Sequence, residues 1–179
     1  MTTRHKDRQA DPQQPFQWRS DCRFELLIDG NEFFPRILQY IEQAQHCIDI
    51  ELYLVESGNA TQRLIEALAA ATGRGVNVRC LFDAIGSLEF SDEERESLRQ
   101  ASVDLRFYNP VSWRSGPANL HRDHRKLLLF DQRIACTGGL GISDQFCQPQ
   151  RSDAELSSST TPWHDQMLIV EGDIAKDWY

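Results

Sequence analysis

The chain has 179 residues, of which 40% are hydrophobic and 26% charged, proportions typical of one soluble globular domain. Its formal net charge of −8 argues against nucleic acid as a partner, because nucleic-acid-binding proteins usually present a basic face. No run of residues approaches the roughly 18 apolar positions that a membrane-spanning helix needs. Residues 1–21 are polar and lack the apolar centre of a secretion signal, so we expect a disordered arm before a domain at residues 22–179.

The first part of this domain alternates between strand-like and helix-like spacing of its apolar residues. We predict strands at residues 24–28, 48–54, 76–83 and 103–108. Helices are predicted between them, at residues 33–44 and 61–72 and from Ser91 onward, where Glu94 completes a capping box. This order predicts an α/β fold with a mixed, largely parallel sheet flanked by helices on both faces.

The second part of the domain begins with a loop at residues 109–120. Strands are predicted at residues 126–130, 133–137 and 163–170. Residues 148–162 are polar and rich in Ser and Thr, which predicts a mobile loop within the domain. Helical spacing starts again at residues 174–179, where the sequence stops. We interpret this stop as typical of a fragment, with a short terminal helix as the alternative.

Cations are concentrated in residues 114–133, although the whole chain is acidic. This segment holds two aspartates and the cations Arg114, Arg122, Arg125, Lys126 and Arg133. A local basic pocket in an acidic protein suits a small anionic group, such as a phosphate, better than a long polyanion. A solvated basic loop is the plain alternative.

A motif of reactive side chains lies in the same segment. His124, Lys126 and Asp131 fit the pattern H-x-K-x-x-x-x-D, and the pair Gly138 and Gly139 follows. Residues i and i+2 of a strand project from the same face, so His124 and Lys126 are predicted to point together. The imidazole can attack phosphorus while the ammonium holds the nonbridging oxygens. We expect Asp131 to fix the local backbone or the lysine, and the glycines to allow close approach of the main chain.

With this motif, the chain resembles the phospholipase D superfamily, and within it the bacterial cardiolipin synthases. The resemblance runs from about residue 24 to residue 179 and depends on four stretches: LLIDGNEFFPRILQYIEQAQHCIDIELYL, LIEALAAATGRGVNVRCLFDAIGS, HRKLLLFDQRIACTGGLGIS and PWHDQMLIVEG. It implies a phospholipase D-like fold and a two-step transfer. One histidine becomes a phosphohistidine, and a histidine from a second copy of the motif protonates the leaving alcohol. The resemblance implies no metal and no other cofactor.

Three further positions take their meaning from the resemblance. In this family an acid on the late strand usually contacts the nucleophilic histidine, which implies that role for Asp165; a surface strand residue is the alternative. The family often has an acid near the site at the position of Glu51, with a solvated or capping carboxylate as the alternative. It usually has Asn two residues after the glycine pair, where the amide helps to bind phosphate. Gly141 stands there instead, and a lost donor would weaken binding of the transition state.

The metal-binding residue types do not form a site in the sequence. None of the five cysteines is in a CxxC pair, so we expect buried, reduced thiols rather than a zinc site. His121 lies three residues before His124, but further ligands at metal spacing are missing. We therefore expect no bound metal.

The implied mechanism needs two histidines of complementary role, whereas the sequence holds one copy of the motif. A homodimer could bring two copies together, as in the single-motif nucleases of the family. Alternatively, the chain is the N-terminal half of a two-motif enzyme. We favour the second explanation, because DGNEFFPRILQYIEQAQHCIDIELYLVE resembles the first half of cardiolipin synthases.

Three functions are therefore open. The leading hypothesis is a cytoplasmic phosphatidyltransferase, peripheral at the inner membrane, that acts on a phosphatidylglycerol-like phospholipid at the membrane surface. The runner-up is a homodimeric phosphodiesterase of the nuclease type, against which the net charge of −8 speaks. The third is a degenerate domain that only binds phosphate or partners, motivated by Gly141 and the short chain.

Overall fold

A computed structural model describes residues 18–112, 116–146 and 164–179 of the chain. Most of the predicted arm, the predicted mobile loop at residues 148–162 and the cation Arg114 lie outside these ranges, so their conformation stays a prediction. The described residues form a seven-stranded sheet with three α-helices.

The strands and helices follow one another as the apolar spacing predicts. The strands are β1 (Arg23–Ile28), β2 (Cys47–Leu52), β3 (Asn77–Asp83), β4 (Asp104–Tyr108), β5 (Lys126–Phe130), β6 (Ile134–Gly138) and β7 (Gln166–Glu171). The helices are α1 (Gly30–Gln43), α2 (Asn59–Gly73) and α3 (Asp92–Gln100). The predicted capping box of α3 is present, with the Ser91 hydroxyl accepting from the backbone of Glu94. The C-terminal turn is a 3₁₀-helix, Asp173–Trp178.

The sheet is mixed, as predicted, and its order is β1-β7-β6-β5-β2-β3-β4. The prediction that it is largely parallel is wrong in this detail. Only β2, β3 and β4 pair in parallel, whereas the four pairings from β1 to β2 through β7, β6 and β5 are antiparallel. The reason is the β5–β6 hairpin and the later β7, which insert between β1 and β2. Such long-range pairing leaves no mark on local apolar spacing.

The three α-helices lie on one face of the sheet, where they form a continuous layer with the main core. That core contains Phe33, Ile37, Leu64, Leu68 and Leu98 from the helices together with alternate residues of the strands. The opposite face carries a smaller cluster around Leu129, Ala135 and Val170, packed against Ala175 of the C-terminal turn. We predicted helices on both faces of the sheet. Among the described residues, the second face is covered by this short turn and by no α-helix. All three crossovers progress across the sheet in the same direction, and right-handed crossovers then place their helices on the same side.

The described residues contain no helix long and apolar enough to cross a membrane.

Candidate active site

The sheet brings His124, Lys126, the glycine pair and Asp165 to one edge. Because β5 runs antiparallel to both β2 and β6, its first residue lies beside the last residues of those strands; Lys126 pairs with Leu52, and Leu127 with Thr137. Gly138 ends β6 opposite Met167 of β7, and Asp165 precedes that strand. His124, Lys126, the glycine pair and Asp165 are thus gathered where the four strands β2, β5, β6 and β7 end or begin.

His124 and Lys126 are in direct contact. The Lys126 Nζ lies 2.8 Å from Nδ1 of His124 and also donates to the His124 carbonyl oxygen at 3.1 Å. His124 itself precedes β5 and is not assigned to a strand, so regular strand alternation does not account for the contact. A charged ammonium can only donate, so in this contact Nδ1 is the acceptor. The imidazole is exposed to solvent.

Tyr53 is an aromatic neighbour of the motif. Its ring lies 4.4 Å from the His124 ring, centroid to centroid, and 5.5 Å from the Lys126 ammonium. β2 ends at Leu52, so strand alternation no longer determines where the next side chain points. The Tyr53 carbonyl lies so close to Gly86 that a side chain at position 86 would collide with it. Tyr53 thus packs on the motif, with its backbone held against the turn after β3.

Asp165 lies against the glycine pair and near the lysine. Any side chain at position 139 would collide with its carboxylate, and Gly138 meets the Gln166 carbonyl in the same way. One Asp165 oxygen accepts from the Gln166 backbone at 2.7 Å. Burial lowers the pKa of the Lys126 ammonium from its ordinary value, and the carboxylates of Asp165 and Asp123 oppose this shift. The Asp165 carboxylate therefore stabilises the charged form of Lys126. Its role as the group that orients His124 stays a prediction.

Gly141 lies inside apolar packing. A Cβ at this position would stand 2.9 Å from Cδ2 of Leu54 and 3.0 Å from Cε2 of Phe146. An amide side chain here requires both neighbours to shift. Glycine at this position therefore leaves no empty space at the edge of the site where an Asn side chain would fit. Leu54 and Phe146 occupy that space.

Asp131 lies at the far end of β5 from the other motif residues, roughly 16 Å along the strand from Lys126. Its carboxylate accepts hydrogen bonds from the backbone N–H groups of Gln45, His46 and Cys47, at 2.9, 2.8 and 3.0 Å. Burial alone would raise its pKa, but these three bonds outweigh burial and the pKa lies below its ordinary value. Placing Asp131 among the catalytic residues therefore conflicts with the geometry, whereas the expectation that it fixes local backbone agrees with it.

Glu51 lies on the other face of the sheet from Lys126. It pairs with Leu127 across the β2–β5 ladder, whereas Lys126 pairs with Leu52, which is in the core beneath the helices. The Glu51 Oε1 lies 2.9 Å from Nη2 of Arg125, and Glu51 lines a groove of about 430 Å³ on the face without α-helices. The acid at this position was expected near the site. Glu51 contacts Asp123 and Arg125, which flank His124, and not the histidine itself.

The part of the chain that the structure describes holds no cluster of three or more His, Cys, Asp or Glu side chains that could hold a metal ion.

The sequence matches one family model, described as the PLD-like domain of cardiolipin synthase, over residues 37–175. The chain belongs to this family. It is 32% identical over 164 residues to the cardiolipin synthase of Geobacillus thermodenitrificans, covering 86% of this chain and 31% of that protein. It is also 32% identical over 162 residues to cardiolipin synthase B of Shigella flexneri, covering 89% of this chain and 37% of that protein. This PLD-like chain thus spans about a third of the length of the curated relatives it matches.

Two solved structures share the fold of this PLD-like chain. Nuc from Salmonella typhimurium, a phospholipase D family member, matches with a TM-score of 0.61 at 16% identity, over 88% of this chain and 90% of Nuc. Phosphatidylserine synthase from Haemophilus influenzae matches with a TM-score of 0.64 at 17% identity, over 86% of this chain and 34% of that protein. The predicted phospholipase D-like fold and the single half-domain are confirmed.

Proposed function

We propose that this chain supplies one half of the active site of a phosphatidyltransferase of the cardiolipin synthase type. Its substrate is a phosphatidylglycerol-like phospholipid, taken from the inner face of a bacterial membrane by a peripheral, cytoplasmic enzyme. The observation that carries the proposal is the contact of 2.8 Å between the His124 ring and the Lys126 ammonium at an exposed sheet edge. The match to the cardiolipin synthase family over residues 37–175 supports the choice of substrate.

His124 and Lys126 have complementary roles in this chemistry. The nonbridging oxygens of a bound phosphodiester attract the Lys126 ammonium away from Nδ1. Nδ1 can then hold the ring proton, with Asp165 as the candidate acceptor, and Nε2 is left with a free electron pair. Nε2 forms a bond to phosphorus, and the bond from phosphorus to the leaving alcohol breaks.

The leaving alkoxide needs a proton, and the second histidine of the complete site supplies it. An acceptor alcohol then gives its proton to the same second histidine and attacks phosphorus, and the bond between phosphorus and Nε2 breaks. The first step needs one charged lysine and one neutral histidine, the roles that we assign to Lys126 and His124. The proton transfers need a second motif, which reaches the site either from another segment of the complete protein or from a second copy of this chain.

The decisive experiment compares two substrates that differ in their leaving group. Bis(p-nitrophenyl) phosphate releases an anion that is stable without protonation, whereas phosphatidylglycerol in vesicles releases an alkoxide that needs an acid. We expect the isolated chain to release one equivalent of p-nitrophenolate and to form phosphohistidine at His124, detected by mass spectrometry without acid. We expect no reaction with phosphatidylglycerol until a second motif is added.

His124→Asn should abolish the burst of p-nitrophenolate, and His121→Asn is the matched control because its side chain is exposed three residues away. A burst that persists in His124→Asn would refute the assignment of the nucleophile. Binding of phosphate by calorimetry without any phosphohistidine would instead identify a degenerate, phosphate-binding domain.

A homodimeric phosphodiesterase is the second candidate. The observation in its favour is the match to Nuc, which covers 90% of that chain and 88% of this one, so the two are of similar extent. Continuous turnover of both substrates by the isolated chain, with a dimeric mass in light scattering, would establish it. The net charge of −8 predicts that phosphodiesters in DNA would be poorer substrates than those in lipids.

A further inference from the structure

Asp123 and Arg125 hold the backbone on either side of His124. The Asp123 Oδ1 accepts from the backbone N–H of Arg125 at 3.2 Å and from its Nε at 3.1 Å. The first of these bonds closes a turn whose central residue is His124, of the kind that Asp forms with the residue two positions later. The Asp123 side chain is only 6% exposed, so the turn is closed by a buried carboxylate.

The same turn is anchored to the end of β3. The backbone N–H of Asp123 donates to Oδ2 of Asp83 at 2.9 Å. Asp83 is buried, and its other oxygen accepts from the backbones of Ile85 and Gly86. Backbone and side chain of Asp123 are therefore both fixed, and His124 extends from a segment with little freedom to move.

One oxygen of Asp123 needs a proton donor. Its Oδ2 is buried and has no hydrogen-bond partner among the described residues. Glu51 lies beside it on β2 and is held by Arg125, whose Nη2 is 2.9 Å from Oε1. Two ionised carboxylates at this position would repel each other and leave Oδ2 bare, whereas a protonated Glu51 donates to it. One proton shared by Glu51 and Asp123 gives Oδ2 a hydrogen-bond donor and removes the repulsion between the two carboxylates.

Electrostatics support this protonation state. Burial, together with the hydrogen bond and the charge of Asp123, raises the pKa of Glu51 to about 7, and Arg125 opposes the shift. Burial would raise the pKa of Asp123 as well, but its bonds with Glu51 and Arg125 lower it below the ordinary value.

Other charged and titratable groups also line this face of the sheet. Asp49 lies two residues before Glu51 and is paired with Arg79 of β3. The remaining groups are Asp104, Arg106 and Tyr108 from β4 and Tyr179 from the C-terminal turn. Asp49, Asp104 and Asp123 each have an arginine partner, and Oδ2 of both Asp49 and Asp123 is buried without a hydrogen-bond partner among the described residues. Of these carboxylates, Asp123 is the one that interacts with Glu51.

We propose that Glu51 and Asp123 are positioning residues for His124, and that the proton they share keeps the turn around the histidine closed. The inference rests on the proposed function, in which His124 is the nucleophile. With the proton present, Asp123 holds the backbone of Arg125 and the imidazole keeps its place beside Lys126. Once Glu51 ionises, it repels Asp123 and competes for Arg125, the turn loosens, and phosphohistidine forms more slowly. Glu51 opens onto the groove behind the sheet, so solvent can exchange this proton without passing through the site.

The kinetic test is the pH dependence of the p-nitrophenolate burst in the full chain. For the wild type we expect a bell-shaped profile, because the histidine must be neutral to attack and Glu51 must be protonated to position it. The fall on the alkaline side should approach about tenfold for each pH unit above the Glu51 pKa. Glu51→Gln keeps a donor toward Asp123, so it should retain the rate at about pH 6 and lose the alkaline fall. Glu51→Ala should be slow across the whole range.

Asp49→Asn is the matched control, since Asp49 lies on the same face of β2 and contacts Arg79 instead of Arg125. Its profile should follow the wild type. An alkaline fall that is the same in Glu51→Gln as in the wild type would overturn the inference.

A second measurement separates this inference from the proposed function. In His124→Ala, which cannot form phosphohistidine, the backbone amide signal of Arg125 should still titrate near the Glu51 pKa in nitrogen–proton correlation spectra. Adding Glu51→Gln should remove that titration. If the wild type forms no phosphohistidine at any pH but the amide titrates, the proposed function fails and the proton-dependent turn stands. If the amide does not titrate, the shared proton is refuted whatever the activity.

Discussion

Replacing Asp131 tests whether this residue of the motif is catalytic or structural. A motif of histidine, lysine and aspartate suggests three catalytic groups, but the Asp131 carboxylate binds three backbone N–H groups at the start of β2, roughly 16 Å from Lys126. We therefore expect Asp131→Ala to reduce the stability of the fold and to leave the rate of the p-nitrophenolate burst within about twofold of the wild type, measured where both are folded.

The size of the stability loss follows from these bonds. The N–H groups of Gln45 and His46 are near solvent, and each bond contributes roughly 0.5–1 kcal/mol, while the less exposed Cys47 bond contributes roughly 1–1.5 kcal/mol. Asp131 also has a φ of 51°, a left-handed conformation that alanine tolerates less well than aspartate. The total is about 3 kcal/mol, or a fall in Tm of roughly 6–12 °C for a chain of this length.

Urea unfolding followed by tryptophan fluorescence measures the loss, and Asp131→Asn is the matched variant. Asn keeps the turn conformation and one acceptor oxygen, so it should lose about half as much. The lowered pKa of Asp131 also predicts the direction in which the stability of the fold changes with pH. A depressed pKa stabilises the fold above the ordinary value, and this contribution disappears as the pH falls below about 4. A burst that is lost in folded Asp131→Ala, with stability unchanged, would refute the structural role.

Three other changes test the packing, the hairpin and the carboxyl pair. Gly141→Asn should destabilise the domain by about 1–3 kcal/mol in urea unfolding and leave the burst rate no higher, because Leu54 and Phe146 occupy the space; a faster burst would contradict this. Gln132→Gly should stabilise by about 1 kcal/mol, since Gln132 has a φ of 55° in the β5–β6 turn, and an unchanged Tm would count against a strained turn. Because the pKa of Glu51 is raised to about 7, its protonated form stabilises the fold at low pH, and stability should fall as the pH rises from the ordinary value through 7. After screening, this fall is about 1–2 kcal/mol, and Glu51→Gln should flatten that segment of the stability profile measured by chemical unfolding.

The local elements of the fold were predictable because they depend on neighbouring residues. Apolar spacing along α1 and along β2 repeats over a few positions, and the capping box of Ser91 and Glu94 closes within one helical turn. The proximity of His124 and Lys126 was predictable for the same reason, since they lie two positions apart in the sequence. The proposed strand alternation was not its cause, because β5 begins only at Lys126.

Long-range pairing decided the rest. The insertion of β5, β6 and β7 between β1 and β2 sets which strand ends share an edge, and no local pattern encodes it. It brought Tyr53 to His124, took Asp131 to the far end of β5, and placed Glu51 behind the sheet beside Asp123. The sequence by itself determined the elements, the family and the reactive pair, because these are properties of residues close in the chain. Only the tertiary structure decided which carboxylate does what, because burial and hydrogen-bond partners come from strands that lie far apart in sequence.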